Sequence, residues 1–249
     1  MVEGHLTQAI HPAAGPLHQP AAGPPPRTGE EFVLADPERA LAVSYAPARC
    51  RAALTALFAL DERMGGIVAT TSEPMIGLMR LAWWREAFGR LDHGPAPAEP
   101  LLGELQRTVL PRGVTGTAMS EIEGGWAALL EDEPASAAVE RHGRERGGGL
   151  FALAGMILGA AEPRLADAGA GWALADLGHR HSSAEVRGLA RARAATLLDD
   201  LFGRRWPGPA RPLAMLAALA RRDAQADATR RQGSPARLAR MLALRLTGR

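Results

Sequence analysis

The sequence predicts an all-α protein, and three features of its 249 residues lead to that prediction. The composition is 47% hydrophobic and dominated by Ala and Leu, whereas aromatic residues make up only 4%; Ala and Leu favour helices, and aromatic residues favour strands. Apolar residues recur at helical spacing after Pro, Ser and Asp residues of the kind that begin helices. No hairpin signal or alternating run indicates a strand. We therefore expect one domain of about nine or ten helices.

The first helices are marked by the residues that begin them. Asp36-Pro37-Glu38 supplies an N-cap, a proline in the first turn and an acid at the positive end of the helix dipole. Pro47 opens a long helix that runs to about residue 68. Ser72-Glu73-Pro74 begins the next helix, which continues through Phe88, and a loop rich in Pro and Gly follows at residues 93–100.

The rest of the chain carries further residues of the kinds that begin helices. Ser182-Ser183-Ala184-Glu185 is a predicted capping box, and Ser234 is the predicted cap of the last helix. Residues 1–34 are rich in Pro, Ala and Gly without periodicity, so we expect a disordered tail there and the single domain at residues 35–249. The remaining helices are expected at residues 100–110, 117–132, 135–160, 164–180, 182–202, 209–222 and 235–246.

The charge of the chain is unevenly distributed. The net charge is +2, there is no Lys, and residues 180–249 carry 15 Arg against 5 acidic residues. Such a basic third could contact an anionic membrane surface or an acidic partner protein, although an Arg-rich solvated helix face is the simpler interpretation. We expect no nucleic-acid partner, because interleaved aromatic residues and known reader motifs are missing.

Neither the single cysteine nor His142 indicates a reactive site. Cys50 is the only cysteine, so it can form neither an intrachain disulfide nor a thiolate cluster, and no base that would activate it is identifiable. His142 is interpreted as an ordinary surface histidine. The N-terminus has no pattern of a secretory signal. We expect a cytoplasmic protein, which could also bind at the periphery of the inner membrane.

Two segments of the sequence resemble a known family. They are PARCRAALTALFAL at residues 47–60 and SEPMIGLMRLAWWREA at residues 72–87. The first resembles the opening helices of squalene/phytoene synthases, and the second resembles the branch of that family that includes an assembly factor of respiratory complex I. With further similarity at residues 147–159 and 211–223, the resemblance covers residues 36–225. It implies an isoprenoid-synthase fold, in which the helices surround a central cavity.

The same resemblance implies where catalytic residues would stand. Enzymes of the family bind Mg²⁺ and a diphosphate through two Asp-rich helices, because the departing diphosphate must be neutralised. The first motif would fall on Gly65, Gly66 and Ala69, where no acid is present. In the second, Asp176 stands where the family has Asn, and Arg180 where it has a metal-binding Asp. We therefore expect that the protein binds no cofactor. It would bind Mg²⁺ only if it is an active prenyltransferase. Relative to alanine, two glycines cost about 2 kcal/mol of helix propensity. A structural reason for Gly65-Gly66 is therefore expected, and the pair predicts close backbone packing or a kink.

One pair of acids could suggest a metal site elsewhere. Asp223 and Asp227 are spaced four residues apart, which places them on one helix face. Arginines surround them in the sequence, so pairing on a solvated helix is the favoured interpretation, and the pair is a weak metal candidate.

Binding candidates cluster on the helix that begins at Pro74. Adjacent Trp side chains point about 100° apart on a helix, so one is expected in the core and the other near a rim or cavity. The neighbouring arginines could bind an anionic headgroup or the carboxylates of a partner. The favoured alternative is a buried packing helix whose arginines pair with Glu62 or Glu73. The candidates are Arg51, Arg80, Trp83, Trp84 and Arg85.

These observations lead to one leading hypothesis and two alternatives. The leading hypothesis is a non-catalytic relative of squalene/phytoene synthases, which serves as an assembly or maturation factor with a respiratory-complex subunit as partner, or binds a prenyl or lipid ligand near a membrane. The first alternative is an active prenyltransferase that condenses two prenyl diphosphates head to head. The second is a plain lipid-binding module.

Overall fold

The described part of the chain is helical and contains no β-strand, which confirms the all-α prediction. It comprises residues 32–225 and 230–249 of a computed structural model. Each predicted helical segment has an observed counterpart. The helices are α1 (Pro37–Ser44), α2 (Ala48–Thr70), α3 (Pro74–Leu91), α4 (Pro100–Thr108), α5 (Gly116–Ala127), α6 (Ala135–Arg141), α7 (Gly149–Leu158), α8 (Leu165–Arg180), α9 (Ala184–Asp199), α10 (Arg211–Gln225) and α11 (Pro235–Thr247).

The caps of these helices are largely those that the sequence predicts. The Asp36 side chain accepts hydrogen bonds from two backbone N–H groups in the first turn of α1, which would otherwise lack a partner. Ser183, rather than Ser182, caps α9 by accepting from the N–H of Val186. Ser234 occupies the N-cap position of α11 without a side-chain hydrogen bond. The predicted starts are therefore correct to within about one residue.

One helical rod changes its winding in the middle. The π-helical segment His142–Gly148 joins α6 to α7 without a break, so the described residues form ten helical rods. Long π-helical runs are unusual, and short ones are frequent at functional sites. Here the winding buries the side chains of both His142 and Arg146.

The centre of the packing is α8, which is buried almost all the way around. Every residue from Ala168 to Gly178 is buried, and most of them are Ala or Gly. A Cβ atom on Gly147 would lie 2.1 Å from the carbonyl oxygen of Gly169. Only glycine therefore permits the close crossing of the π-helical segment and α8.

The helices α2 and α3 form another side of the domain. Contacts of α2 extend to α1, α4, α5 and α7, whereas α3 packs mainly on α5. The face of α3 that points away from α5 carries exposed apolar side chains, among them Met75 and Met79.

The start of the domain lies slightly before the predicted boundary at residue 35. Leu34 is buried, and Phe32 packs against the core. Residues 1–31, most of the predicted tail, lie outside the described residues. None of the described helices is both long and apolar enough to cross a bilayer.

Candidate functional site

Charged side chains meet in the interior where α2, α5, the π-helical segment and α8 come together. Asp61 on α2, Arg146 in the π-helical segment and Asp176 on α8 are at most 5% exposed. Charged groups are rarely buried at this level unless they are paired. The partners of these residues therefore determine what the centre can do chemically.

The Arg146 guanidinium bridges the two buried aspartates. Its Nε and Nη2 atoms donate to the two carboxylate oxygens of Asp61 at 2.8 and 3.0 Å. Nη2 also donates to Oδ2 of Asp176 at 3.2 Å. The pairing with Asp61 is bidentate, which is the strongest geometry between arginine and a carboxylate. A fixed cation thus lies between acidic groups of two different helices.

Asp61 has two further partners, and they leave its carboxylate fully engaged. The indole Nε1 of Trp126 donates to Oδ1 at 2.9 Å, and Nη1 of Arg39 lies 3.0 Å from Oδ2. Arg146 also stacks on the ring of Trp126, with 4.0 Å between its Cζ atom and the ring centroid. These contacts balance the buried charge and supply apolar packing at once.

His142 belongs to this centre, and its predicted surface position is wrong. The ring is fully buried; Nδ1 is 2.7 Å from the carbonyl oxygen of Gly125, and Nε2 is 3.0 Å from Nη1 of Arg146. Because the carbonyl can only accept and arginine can only donate, the ring is neutral with its proton on Nδ1. Burial first, and then the charge of Arg146, lower the pKa of His142 to about 3.

A second layer of ion pairs surrounds Asp176 and joins the two ends of the domain. Arg180 and Arg230 donate to Oδ1 of Asp176 at 2.8 and 3.0 Å. Arg237 of α11 pairs with Glu38 of α1 at 2.5 and 2.9 Å. The same guanidinium also pairs with Asp223 of α10. Each buried carboxylate in this region therefore faces at least one guanidinium.

The electrostatics of the centre keep both aspartates ionised. Burial alone would raise the pKa of Asp61, but Arg146 and Arg39 outweigh it and hold this pKa below its ordinary value. Burial acts on Asp176 in the same direction, and Arg146 together with Arg180 again lowers the pKa well below its usual range. Neither carboxyl group is positioned to exchange protons near neutral pH.

Guanidinium groups and an aromatic ring pack together beside the buried aspartates. The guanidinium of Arg146 lies 5.0 Å, and that of Arg39 4.9 Å, from the ring centroid of Trp172. A cavity of about 10 Å³ lies beside them between α1, α8 and α10, which is room for roughly one water molecule. Across residues 32–225 and 230–249, no three His, Cys, Asp or Glu side chains converge in a way that could hold a metal ion.

The positions of the first motif do not point into a common site. A Cβ atom on Gly65 would lie 2.9 Å from the Trp126 ring, so the close packing predicted for the glycine pair is confirmed there. At Gly66 a Cβ atom would meet nothing within 4 Å, and Ala69 is exposed. Gly66 instead borders a surface groove of about 440 Å³ between α2 and α3, which Arg80 also lines.

The acidic residues of the second motif and of the Asp223/Asp227 pair are engaged by arginines wherever the structure describes them. Asp176 and Arg180 pair with each other, as described above. Asp223 is buried and held by Arg237 and Arg230, so its predicted position on a solvated helix face is wrong. Asp227 lies outside the described residues.

The binding candidates of α3 divide between core and surface, as their spacing predicts. Trp84 is 5% exposed and Trp83 is 43% exposed. Arg85 pairs with the buried Glu123 at 3.5 Å rather than with Glu62 or Glu73, and Arg80 borders the groove. The structure does not bring Arg51 to this group: its Nε atom donates to the carbonyl oxygen of Ala46.

The sequence analysis missed most of the buried centre. Arg39, Trp126 and Arg146 carried no recognised motif, and Asp61 stood one turn before the expected motif. A usable signal was the sequence HGRERGGG at residues 142–149, where charged residues lead directly into three glycines. Glycines allow close helix crossings, and an arginine next to such a crossing is placed to be buried.

Comparison with known proteins gives a family for this fold. Residues 33–175, more than half of the chain, match a family model described as squalene/phytoene synthase. The matched region contains Asp61 and Arg146 and ends one residue before Asp176. Neither the curated proteins nor the solved structures gave a match.

Proposed function

The chain belongs to the squalene/phytoene synthase family, and we propose that it is a non-catalytic member in which a buried arginine stands in place of the metal–diphosphate centre. On this proposal the protein retains the fold of a synthase and acts by binding. The observation that carries it is the guanidinium of Arg146, held between Asp61 and Asp176.

The residues present do not fit a magnesium–diphosphate centre. Mg²⁺ requires several oxygen ligands in octahedral geometry, and Gly65, Gly66 and Ala69 offer no side-chain oxygen. Both oxygens of Asp61 and of Asp176 already accept from arginines. A divalent cation bound to Asp61 or Asp176 would lie close to the guanidinium groups that already donate to these carboxylates. The positive charges would repel one another at that separation.

The binding role that we propose is that of an assembly or maturation factor, with a subunit of a respiratory complex as the partner. It is supported by the resemblance at residues 72–87, which form most of α3, and by the exposed apolar side chains on that helix. A prenyl or lipid ligand is the second candidate, and the groove of about 440 Å³ between α2 and α3 favours it.

The basic C-terminal third offers weaker support for a membrane contact. Arg230 and Arg237 point inward to buried carboxylates, and Arg211 donates to backbone carbonyls at the end of α11. These charges serve the interior and are not available to lipid headgroups. We propose a cytoplasmic location, with any membrane contact peripheral and made through another surface.

A turnover measurement tests the loss of catalysis. Purified protein, incubated with farnesyl or geranylgeranyl diphosphate and Mg²⁺, should release no pyrophosphate above the background without protein. Magnesium-dependent release would support the active prenyltransferase instead, provided that Asp176→Ala abolishes it. Asp167→Ala is the matched control, because Asp167 lies on the same helix and is exposed.

A further inference from the structure

The last helix of the chain is held in place by few apolar contacts. Residues 230–249, which we call the C-terminal strap, comprise α11 and the segment that leads into it. The helix on which α11 mainly packs is α10. Among the 13 residues of α11 only Met241 and Leu244 are buried, whereas nine residues of α10 are buried. The strap therefore adds little to the apolar core.

Ion pairs fasten the start of the strap to three other helices. The Arg237 guanidinium donates to Glu38 of α1 at 2.5 and 2.9 Å, and also to Asp223 of α10. Arg230 donates to Asp176 of α8 at 3.0 Å and lies 3.4 Å from Asp223. Throughout residues 32–225 and 230–249, the guanidinium partners of Glu38 and Asp223 belong to the strap. Without the strap these two buried carboxylates would lose them.

Hydrogen bonds fasten the other end of the strap. Nη1 of Arg211 donates to the carbonyl oxygens of Arg245 and Leu246 at 3.0 and 3.2 Å. These carbonyls lie in the last turn of α11, where the helix itself supplies no donor. The backbone N–H of Trp206 donates to the carbonyl oxygen of Gly248 at 2.8 Å. Both ends of the strap are thus held by polar contacts.

The charge of the strap is opposite to that of the rest of the chain. The strap contains six Arg and no acidic residue, and the whole chain has a net charge of +2, so residues 1–229 carry −4. Salt screens the attraction between such charges, because the Debye length falls from about 30 Å at 0.01 M to about 3 Å at 1 M. Salt does not weaken apolar packing in this way. It should therefore loosen the strap selectively.

An acidic cleft lies beside the start of the strap, between α1, α8 and α10. The charged residues that line its cavity of about 10 Å³ are Asp36, Glu38, Asp176, Asp223 and Arg230. When the strap leaves, Arg230 and Arg237 leave with it, and the cleft keeps its four carboxylates. Asp176 also binds Arg146, so the cleft leads to the buried centre.

We propose that the C-terminal strap is a releasable cover, which opens as one unit while the rest of the domain stays folded and exposes the acidic cleft. Proteins open locally in cooperative units, and segments with few buried apolar contacts open first. A released α11 would lose its helix as well, because 13 residues are marginal for an isolated helix. The strap thereby controls access to Asp176, whether or not the protein is catalytic.

Hydrogen exchange of the full-length protein, followed by mass spectrometry, tests whether the strap opens by itself. Amides of α11 should exchange about tenfold faster in 1 M NaCl than in about 0.05 M NaCl, because salt weakens what holds the strap. Amides of α8 should stay protected at both concentrations, since opening of the strap leaves the core folded.

A pair of variants on α11 locates the attachment. Arg237→Met should accelerate exchange of α11 about tenfold at low salt, because Glu38 and Asp223 then regain hydration only when the strap opens. It should also reduce the effect of salt. Arg240→Met removes the same charge at an exposed position of the same helix and should leave exchange of α11 unchanged. Protection of α8 in both variants shows that the domain is folded.

A thiol placed in the cleft tests whether opening exposes it. Ala220 lines the cleft and is 4% exposed. The Ala220→Cys thiol should react with a cationic methanethiosulfonate reagent at a rate that follows exchange of α11. At low salt an anionic reagent of similar size should react more slowly, because the open cleft is acidic. The natural thiol of Cys50 does not line the cleft, so the unchanged protein measures the background.

Four results would overturn the proposal. Exchange of α11 that is independent of salt would show that charge does not hold the strap, and an equal rise in exchange of α8 would show that the strap has no separate opening. Equal effects of Arg237→Met and Arg240→Met would exclude the proposed attachment. An Ala220→Cys thiol that stays unlabelled while α11 exchanges would show that no cleft is uncovered.

Discussion

At the scale of single residues, the core depends on one guanidinium that faces two buried carboxylates. Replacing Arg146 with Met would leave Asp61 and Asp176 short of their main partner in the interior. Breaking a buried ion pair from one side typically costs about 3–5 kcal/mol. We expect Arg146→Met to lower the free energy of unfolding by that amount, measured by chemical denaturation.

Two further variants show whether the charge or the packing is responsible. Arg144→Met changes a side chain in the same π-helical segment that is 68% exposed, and should stay within about 0.5 kcal/mol of the unchanged protein. Arg146→Met combined with Asp61→Asn and Asp176→Asn removes the charges together and should recover part of the loss. No recovery, or an equal loss from Arg144→Met, would contradict this account.

His142 predicts how stability depends on pH. Its pKa is lowered from 6.5 to about 3 in the folded protein, so between these values the unfolded chain binds a proton that the folded protein does not. Stability must therefore fall as the pH falls through this window, by up to about 1.4 kcal/mol per pH unit. Asp61 and Asp176, whose pKa values are lowered, add a loss of the same sign below about pH 4.

Denaturation curves recorded between about pH 6.5 and pH 4.5 measure this dependence on proton uptake. His142→Asn should reduce it, because asparagine retains a donor for the Gly125 carbonyl oxygen but does not titrate. Burial also lowers the pKa of His179, so a smaller dependence of the same sign should remain. His93→Asn, at an exposed position, should leave the full dependence unchanged. An identical pH dependence in His142→Asn would show that the buried ring is not its source.

At the scale of elements, two adjacent glycines of α2 should respond oppositely to the same substitution. Alanine gains about 1 kcal/mol of helix propensity over glycine, and Gly66→Ala should realise much of that gain because its Cβ meets nothing within 4 Å. Gly65→Ala should lose stability, since its Cβ would displace Trp126 and disturb the hydrogen bond to Asp61. Thermal denaturation compares the two, and equal stabilisation would contradict the packing described here.

The helices themselves could be predicted, because what begins and ends a helix is local. Asp36, Ser183 and the prolines that open α1 to α4 act within one turn of the chain. The opposite positions of Trp83 and Trp84 likewise follow from the geometry of one helix. The π-helical winding of residues 142–148 was not predictable, because it depends on the crossing with α8.

At the scale of the whole molecule, the buried centre escaped prediction because its members are distant in the chain. Arg146 and Asp61 are 85 residues apart, and Arg237 and Glu38 are 199 apart. Only the assembled helices place a cation between those acids. The sequence could reveal that the expected metal ligands were missing at Gly65, Gly66 and Ala69, but not what stands in their place.

The central claim, that Arg146 stands in place of a metal–diphosphate centre, can be tested without knowing any prenyl substrate. A ligand that binds only the folded state raises the free energy of unfolding by mass action. We predict the same denaturation curve with and without millimolar Mg²⁺ and inorganic pyrophosphate together. A magnesium-dependent increase of about 1 kcal/mol or more, lost in Asp176→Ala and retained in Asp167→Ala, would contradict the claim.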